Sequence, residues 1–430
     1  DQKHAIIKGA FILTLTGFAT RFIGFFLPDL FKQSFGEESV GLYQLIFPVY
    51  ALCFSLCCAG IELPLQGTWL QVLLWEKKKG GYIFILWPFF IFPPLLIMML
   101  LMQKEADLSL PSFRRTEVAP LLIIISYAMP FAAVHSCICG YYIGLKKTRI
   151  PAISQLVEQI ARVCSVFFLY RYFMERSLSA GISLAAVGLV MGKYFPPFFL
   201  STLFVKKKGR RFFLLLQFFP KAGQLEKWNE GILQTSLPLT GNRVLLNILQ
   251  STEAVSIPAK LQIFGFSVSD SLSIYGVLTG MALPCILFPS AITNSISTML
   301  LPAVAEIQAG GSIKKLREVI RKVFFCCFAL GLACCFAFLL FGQLAGELLF
   351  HSQMAGQFII TLAWICPFLY TNSTLLSVIN GLGKANISFL LNYIGLLLRI
   401  ASVFSLILLS GIRGYLWGLL ISQGTVFLLC

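Results

Sequence analysis

The chain has 430 residues, of which 57% are hydrophobic and 12% are charged, and its mean hydropathy is +0.83. Because a soluble domain usually carries about 25% charged residues, this chain has too few polar side chains to cover the surfaces of soluble domains. The composition therefore excludes a soluble enzyme, a disordered protein and a disulfide-stapled secreted domain. An all-α polytopic membrane protein remains.

The excess of basic residues has an ordinary explanation in such a protein. The formal net charge is +16, and Lys and Arg are expected in cytoplasmic loops. Since no nucleic-acid-binding motif accompanies them, we expect no nucleic-acid partner. Most of the 13 Cys lie in apolar runs and are expected to be small buried hydrophobes. With 3 His in the chain, we expect no metal site and no resident cofactor.

Twelve stretches are apolar and long enough to span a bilayer, which takes about 20 residues. They are predicted at residues 6–28, 40–62, 82–102, 118–143, 152–174, 182–205, 232–257, 272–300, 320–342, 357–380, 386–409 and 412–430. The first is expected to be a retained helix rather than a cleaved signal peptide. Prolines within the spans are expected to kink or break their helices. They are Pro48, Pro130, Pro284, Pro289 and Pro367.

The loops alternate in charge. The set on the same side as the N-terminus holds most of the loop Lys and Arg, including the run at residues 206–211. Basic loops remain in the cytoplasm during membrane insertion. We therefore predict that both termini are cytoplasmic.

The two halves of the chain repeat with a shift of 237 residues. The matching pairs include Pro130 and Pro367, Gly144 and Gly381, Lys147 and Lys384, and Arg162 and Arg399. Six predicted spans separate the copies, so the repeat is parallel, with a pseudo-twofold axis along the membrane normal. We predict two six-helix lobes, residues 1–210 and 232–430, joined by a basic cytoplasmic linker at 211–231.

Short motifs occur in both halves. They include Gly140-Tyr141-Tyr142-Ile143-Gly144-Leu145, Tyr275-Gly276-Val277-Leu278-Thr279-Gly280 and Gly414-Tyr415-Leu416-Trp417-Gly418, with others at residues 8–25, 41–48, 151–155 and 288–294. In combination they resemble stage V sporulation protein B homologues, which belong to the multidrug/oligosaccharidyl-lipid/polysaccharide (MOP) exporter superfamily. The resemblance covers most of the chain. Residues 27–36 and 62–75 depart from it, because they lack basic residues that relatives carry there.

The resemblance implies a MATE-like fold and a flippase. Such a protein moves an undecaprenyl-pyrophosphate-linked sugar, such as a peptidoglycan precursor, outward across the bacterial plasma membrane by alternating access, in spore cortex or cell wall synthesis. We expect a lipid-linked oligosaccharide as partner, a monomer in the bilayer, and no catalytic residues. Energy would come from the membrane potential or from an ion gradient, with H+ and Na+ both open, since no nucleotide-binding loop is present.

Ionisable side chains inside the predicted spans are the candidate site residues, because a charge at mid-membrane costs at least about 2.5–3.5 kcal/mol. Arg21 lies in the first span, and Arg243 lies in its counterpart, the seventh. One interpretation is an electropositive cavity for a pyrophosphate, which Arg binds with two parallel hydrogen bonds. The other is an Arg that pairs with backbone carbonyls or extends its charged end toward water.

The seventh span carries further polar residues on one face. Arg243, Asn247 and Gln250 have helical spacing, and Glu253 lies beside them. Asn294 lies in the eighth span. Such a face avoids lipid, and interhelical hydrogen bonding is the alternative to cavity lining. The predicted substrate-binding residues are Arg21, Arg243, Asn247, Gln250, Glu253 and Asn294.

The fifth span contains Glu158 and Arg162 at positions i and i+4, which indicates an intramembrane ion pair or a coupling group. Lys193 is a further candidate partner for Glu158. The second copy of the repeat keeps Arg399 but has Gly395 where Glu158 would lie. Arg399 therefore needs another partner or faces water.

A cation-coupled multidrug antiporter of the same superfamily is the alternative function. It would need carboxylates in the N-terminal half to bind H+ or Na+ and a cationic drug, and Glu62 and Glu158 are the candidates. The intramembrane charges are mainly basic, which favours an anionic substrate. A membrane enzyme would need paired carboxylates or a His on a sizeable outer loop, and the predicted outer loops are short.

Overall fold

The structure, a computed structural model, describes residues 12, 14–24, 32, 36–66, 96, 99–100, 103, 118–144, 149–176, 181–197, 199, 222–310 and 312–430. Within those ranges the chain is helical and contains no strand, which confirms the all-α prediction. Six helices of this part are long and apolar enough to cross a membrane. The count of twelve spans is thus only partly confirmed, and the third predicted span, 82–102, lies almost wholly outside the described residues.

The helices of the first half follow the predicted spans. They are α1 (residues 14–24), α2 (Glu37–Gln66), α3 (Val118–Ser126), α4 (Ala128–Gly144), α5 (Arg149–Glu175) and α6 (residues 183–197). The side chains along α3 and α4 are almost all apolar, which suits helices surrounded by lipid or by other helices.

The second half is described almost without gaps. Its helices are α7 (Ala222–Phe264), α8 (Val268–Val277), α9 (Leu283–Leu287), α10 (Ser290–Ala309), α11 (Ile313–Phe350), α12 (Gln353–Leu362), α13 (Cys366–Gly381), α14 (Ala385–Ser410) and α15 (Ile412–Leu429). Helix α14 packs along α15, while α11 packs along both α12 and α13.

Contacts divide the chain into two compact units. Unit 1 comprises residues 1–45 and 249–430, and unit 2 comprises residues 46–248. One boundary lies inside α2 and the other inside α7, so the beginning of α2 packs with the C-terminal half of the chain. The two six-helix lobes with a linker at 211–231 stay a prediction.

The two copies of the sequence repeat interrupt their helices at corresponding places. Helices α3 and α4 are separated by a turn at Tyr127, three residues before Pro130. Helices α12 and α13 are separated by a 3₁₀ turn over Ala363–Ile365, directly before the Cys366-Pro367 pair. Proline has no N–H and its ring collides with the carbonyl four residues earlier, which accounts for an interruption at both places.

The eighth predicted span, 272–300, is not a single helix. A π-helical turn over Leu278–Ala282 connects α8 to α9. The helix then breaks at Phe288 and Pro289, and α10 continues to Ala309. By contrast, α2 passes through Pro48 without a break. The prolines therefore mark places where a helix can be interrupted, but not every proline interrupts its helix.

Glycine allows α2 and α8 of unit 1 to approach at backbone distance. A Cβ atom on Gly276 would collide with the backbone of Gly41, and one on Gly41 would collide with the carbonyl of Leu272. A Cβ on Gly280 would lie 2.9 Å from a Val40 methyl group. The glycines of the Tyr275–Gly280 motif are therefore needed for helix packing.

Polar contacts tie the start of α2 to the end of α11. Lys32 Nζ donates to the Phe350 carbonyl (3.0 Å) and pairs with Glu37 Oε1 (3.2 Å). Ser352 Oγ donates to the same Glu37 oxygen (2.9 Å). A Lys at a helix C-terminus satisfies carbonyls that lack helical partners. Lys32 belongs to the segment that departs from the family pattern, and within unit 1 it has this structural contact.

We expect Gly276→Ala to destabilise the protein by about 1–3 kcal/mol, because the new methyl group would enter the α2 backbone. Gly424→Ala is the matched control, since a Cβ on Gly424 in α15 has no atom within 4 Å. The control should be neutral or gain about 0.5–1 kcal/mol. Unfolding of both variants in the same detergent provides the measurement, and a Gly276→Ala protein as stable as wild type would contradict the packing described here.

Candidate functional site

Glu158 of α5 lies at the centre of a buried charge cluster in unit 2. Its Oε1 is 2.8 Å from Arg162 Nη2 and 2.6 Å from Lys193 Nζ on α6. Its Oε2 is 3.6 Å from His135 Nδ1 on α4. Two basic side chains and one His thus surround a single carboxylate that is 7% exposed.

The other nitrogen of His135 is held by α5. His135 Nε2 is 2.9 Å from Ser154 Oγ. Because the Ser154 hydroxyl gives its single proton to the Pro151 carbonyl (2.8 Å), it accepts the Nε2 proton of His135. This bond fixes the imidazole ring with Nδ1 toward Glu158.

Small residues on α6 make room for the cluster. A Cβ on Gly192 would lie 3.1 Å from Arg162 Cβ, and one on Gly188 would collide with Val166. The backbone of α6 therefore lies against α5, which brings Lys193 within reach of Glu158. Gly188 and Gly192 are four residues apart and so occupy one face of the helix.

A second buried ion pair lies in unit 1, between α7 and α14. Arg399 Nε donates to Glu253 Oε1 (2.8 Å) and Arg399 Nη2 donates to Oε2 (2.6 Å). The Tyr415 hydroxyl of α15 also donates to Oε1 (2.7 Å). This two-bond arrangement is the strongest geometry for an Arg–carboxylate pair. Both oxygens of Glu253 are therefore occupied.

The two ion pairs involve equivalent Arg residues in the two copies of the repeat. Arg162 and Arg399 are equivalent positions, and each is bound to a buried carboxylate. In the second copy Gly395 replaces Glu158, and a Cβ there would lie 2.8 Å from a Val426 methyl group. The carboxylate is supplied instead by Glu253 from another helix. The sequence left the partner of Arg399 open, and the structure identifies it.

Arg21 of α1 contacts the broken helix of unit 1. Its Nη1 donates to the Leu287 carbonyl (2.6 Å) and lies 3.3 Å from Ser290 Oγ. The neighbouring Ile286 carbonyl accepts the Tyr370 hydroxyl proton (2.6 Å). These carbonyls end α9 and lack helical partners, so Arg21 and Tyr370 satisfy them. This is the carbonyl-pairing interpretation, and substrate binding by Arg21 stays a prediction.

The predicted stripe of α7 has an accessible part and a buried part. Arg243 and Gln250 are exposed, and Asn247 is partly exposed. Glu253, one turn further on, is turned into the protein against Arg399. Asn294 of α10 is also exposed. The structure does not bring these predicted binding residues into one described site, and their role in substrate binding stays a prediction.

Three members of the clusters could not be found from the sequence. His135 and Tyr415 reach Glu158 and Glu253 from other helices, and Ser154 contacts His135. His135 and Glu158 lie on consecutive helices, and no sequence spacing links them. Tyr415 lies in the Gly414–Gly418 motif, which indicated resemblance but no contact. No group of side chains within the described part of the chain has the composition to hold a metal ion.

Comparisons with known proteins agree on one fold. No family model matches this chain. Stage V sporulation protein B of Bacillus subtilis (strain 168) is 26% identical over 420 residues, which cover 94% of this chain and 78% of that protein. Lipid II flippase MurJ, in an inward closed conformation, is similar with a TM-score of 0.72 and 15% identity, over 97% of this chain and 86% of MurJ.

A multidrug resistance MATE family transporter of the MOP superfamily, in an inward-facing conformation, is similar with a TM-score of 0.68 and 15% identity. The similarity covers 97% of this chain and 92% of that transporter. This chain has the fold that MurJ and this MATE family transporter share. The predicted MATE-like fold and the resemblance to stage V sporulation protein B are therefore confirmed.

With six described helices long and apolar enough to cross a membrane, this chain is a multi-pass membrane protein. Its solved neighbours include both a flippase and a multidrug transporter, so the fold leaves the substrate open.

We expect Glu253→Ala to destabilise the protein by about 3–5 kcal/mol, because it leaves the partly buried Arg399 without its carboxylate. Tyr415→Phe should cost about 1.5–3 kcal/mol through one lost bond to a charged group. Glu175→Ala is the control, since Glu175 pairs with Arg171 at an exposed site, and it should cost no more than about 1 kcal/mol.

These free energies can be compared by denaturant unfolding of the purified variants in one detergent. If Glu253→Ala unfolds like Glu175→Ala, the buried pair does not stabilise unit 1.

Proposed function

We propose that this chain is a transporter that moves an undecaprenyl-pyrophosphate-linked oligosaccharide outward across the bacterial plasma membrane by alternating access. It is not an enzyme, and it works as a monomer with both termini in the cytoplasm. The comparisons support a flippase or exporter of the MOP superfamily. The anionic lipid-linked substrate is our own proposal.

The proposal depends on the charge of the Glu158 cluster. Among the described residues, Glu158 and Glu253 are the carboxylates classed as buried. Glu253 is neutralised by Arg399, and Glu158 faces both Arg162 and Lys193. A cationic drug or a Na+ ion needs a carboxylate whose charge is available, whereas these carboxylates already hold cations. The excess of positive charge suits a pyrophosphate.

The accessible face of α7 supports the same substrate class. Arg243 is exposed, and Asn247 and Gln250 lie on its side of the helix. We propose that Arg243 binds the pyrophosphate and that the two amides, with Asn294, bind the sugar or peptide. The inside-negative membrane potential favours outward movement of an anion, by about 2.3 kcal/mol per charge for each 100 mV. An ion gradient of H+ or Na+ is the other candidate energy source.

The second candidate function is cation-coupled multidrug export, which the similarity to a MATE family transporter favours. It requires that Glu158 exchange its basic partners for a transported cation. Glu62 is the other carboxylate predicted for this role, and the structure does not describe its side chain. The two functions therefore differ in whether transport depends on Glu158 or on Arg243.

Vesicles that contain the purified protein can test both functions separately. With a fluorescent polyprenyl-pyrophosphate oligosaccharide, we expect flipping by wild type and at least a tenfold loss in Arg243→Ala, about the effect of losing one strong charged hydrogen bond. Arg413→Ala, which removes an exposed Arg of α15, is the matched control and should flip normally.

Uptake of a cationic drug is measured in the same vesicles. Drug uptake that is lost in Glu158→Gln, without movement of the lipid precursor, would replace the proposed function by the second candidate. Normal flipping by Arg243→Ala would show that Arg243 does not bind the substrate.

A further inference from the structure

Helix α11 has 38 residues, more than a membrane span needs. Residues 323–341 contain no Asp, Glu, Lys or Arg, and at 1.5 Å per residue they span about 28 Å, close to the thickness of the hydrocarbon core. Residues 313–322, which we call the basic segment, precede this stretch in the same helix. Its basic residues are Lys314, Lys315, Arg317, Arg321 and Lys322, against Glu318.

The basic segment has an inner face that fixes it against unit 1. Leu316, Val319, Ile320 and Val323 pack on a core formed by Leu300, Val304 and Val378. All five basic residues are exposed. The cations are therefore held at fixed positions on a packed helix, rather than on a flexible loop.

A shallow cavity of about 350 Å³ lies along this helix. Its described lining residues are Ile313, Leu316, Arg317, Ile320, Arg321 and Phe324. Arg317 and Arg321 are four residues apart and share one face. Glu318 is engaged with Lys322 at 2.7 Å, and neither Arg317 nor Arg321 forms a salt bridge with any residue in the described ranges. Arg317 and Arg321 thus lie beside an apolar surface.

The geometry points to a binding site for an anionic phospholipid of the cytoplasmic leaflet. Arg317 and Arg321 bind the phosphate, as guanidinium groups bind oxyanions in pairs. Ile313, Ile320 and Phe324 contact the glycerol and the first acyl carbons. The site is distinct from the proposed transport residues and does not depend on the identity of the transported substrate. It does rest on the predicted cytoplasmic location of the basic segment.

The position of the cavity favours a lipid over a soluble acidic partner. Arg321 and Lys322 directly precede the uncharged stretch, so they lie where the hydrocarbon core meets the headgroups. Arg321 Cζ lies 5.9 Å from the Phe325 ring, which is exposed at the same level. The cytoplasmic leaflet carries the anionic lipids that attract basic segments next to a spanning helix. A site with a charged end and an apolar floor at this depth matches both parts of a phospholipid.

The test is native mass spectrometry of the full chain in detergent, titrated with phosphatidylglycerol or with phosphatidylcholine. We expect wild type to prefer phosphatidylglycerol and the Arg317→Gln/Arg321→Gln protein to lose at least about tenfold of that preference. The matched control is Arg171→Gln/Arg176→Gln, which removes two exposed Arg from the end of α5 and should keep the preference. Arg317→Lys/Arg321→Lys retains the charge but not the paired hydrogen bonds, and it should bind less phosphatidylglycerol than wild type.

Three results would overturn the proposal. An unchanged preference in Arg317→Gln/Arg321→Gln would show that these residues do not bind the headgroup. An equal loss of preference in Arg171→Gln/Arg176→Gln would show that the preference depends on net charge and not on this site. Displacement of bound phosphatidylglycerol by equimolar undecaprenyl pyrophosphate would assign the site to the transported lipid class. Thermal unfolding of each variant, measured in the same detergent, checks that the protein is folded during the titration.

Discussion

The pairing of each partly buried Arg of the repeat with a buried carboxylate is the interaction on which the structure depends. An Arg within a spanning helix is tolerated only when it has a partner or faces water. Arg162 meets Glu158 one turn away on its own helix, and Arg399 meets Glu253 from α7. Equivalent cations are thus neutralised by carboxylates from different places in the chain. Removing either partner leaves a buried charge, which costs more than the pair contributes.

Interrupted helices provide the second constraint. The breaks before Pro130 and Pro367 are related by the repeat, whereas the break at Phe288 and Pro289 is specific to the second half. A broken helix leaves backbone carbonyls that must be satisfied in a membrane. Tyr370 and Arg21 donate to two of them. The intramembrane Arg21, which the sequence made a candidate for phosphate binding, therefore also has a backbone role within unit 1.

The sequence was a good guide to the helices and a partial guide to the charge clusters. Hydropathy predicted the described spans because each needs a long apolar run, and the pair Glu158 and Arg162 was predictable from local spacing. The partner of Arg399 was not, because Glu253 is 146 residues away and contact depends on how α7 and α14 pack. The π-helical turn at Leu278–Ala282 was also missed, because no residue pattern specifies it.

Our proposal that this chain transports an anionic lipid-linked substrate depends on these charges. The most direct measurement is equilibrium binding of undecaprenyl pyrophosphate to the purified protein in detergent, with a hydrophobic drug cation as competitor. Saturable binding of the pyrophosphate that the cation does not displace is the predicted result. Saturable binding of the cation that is lost in Glu158→Gln, with no binding of the pyrophosphate, would contradict the account.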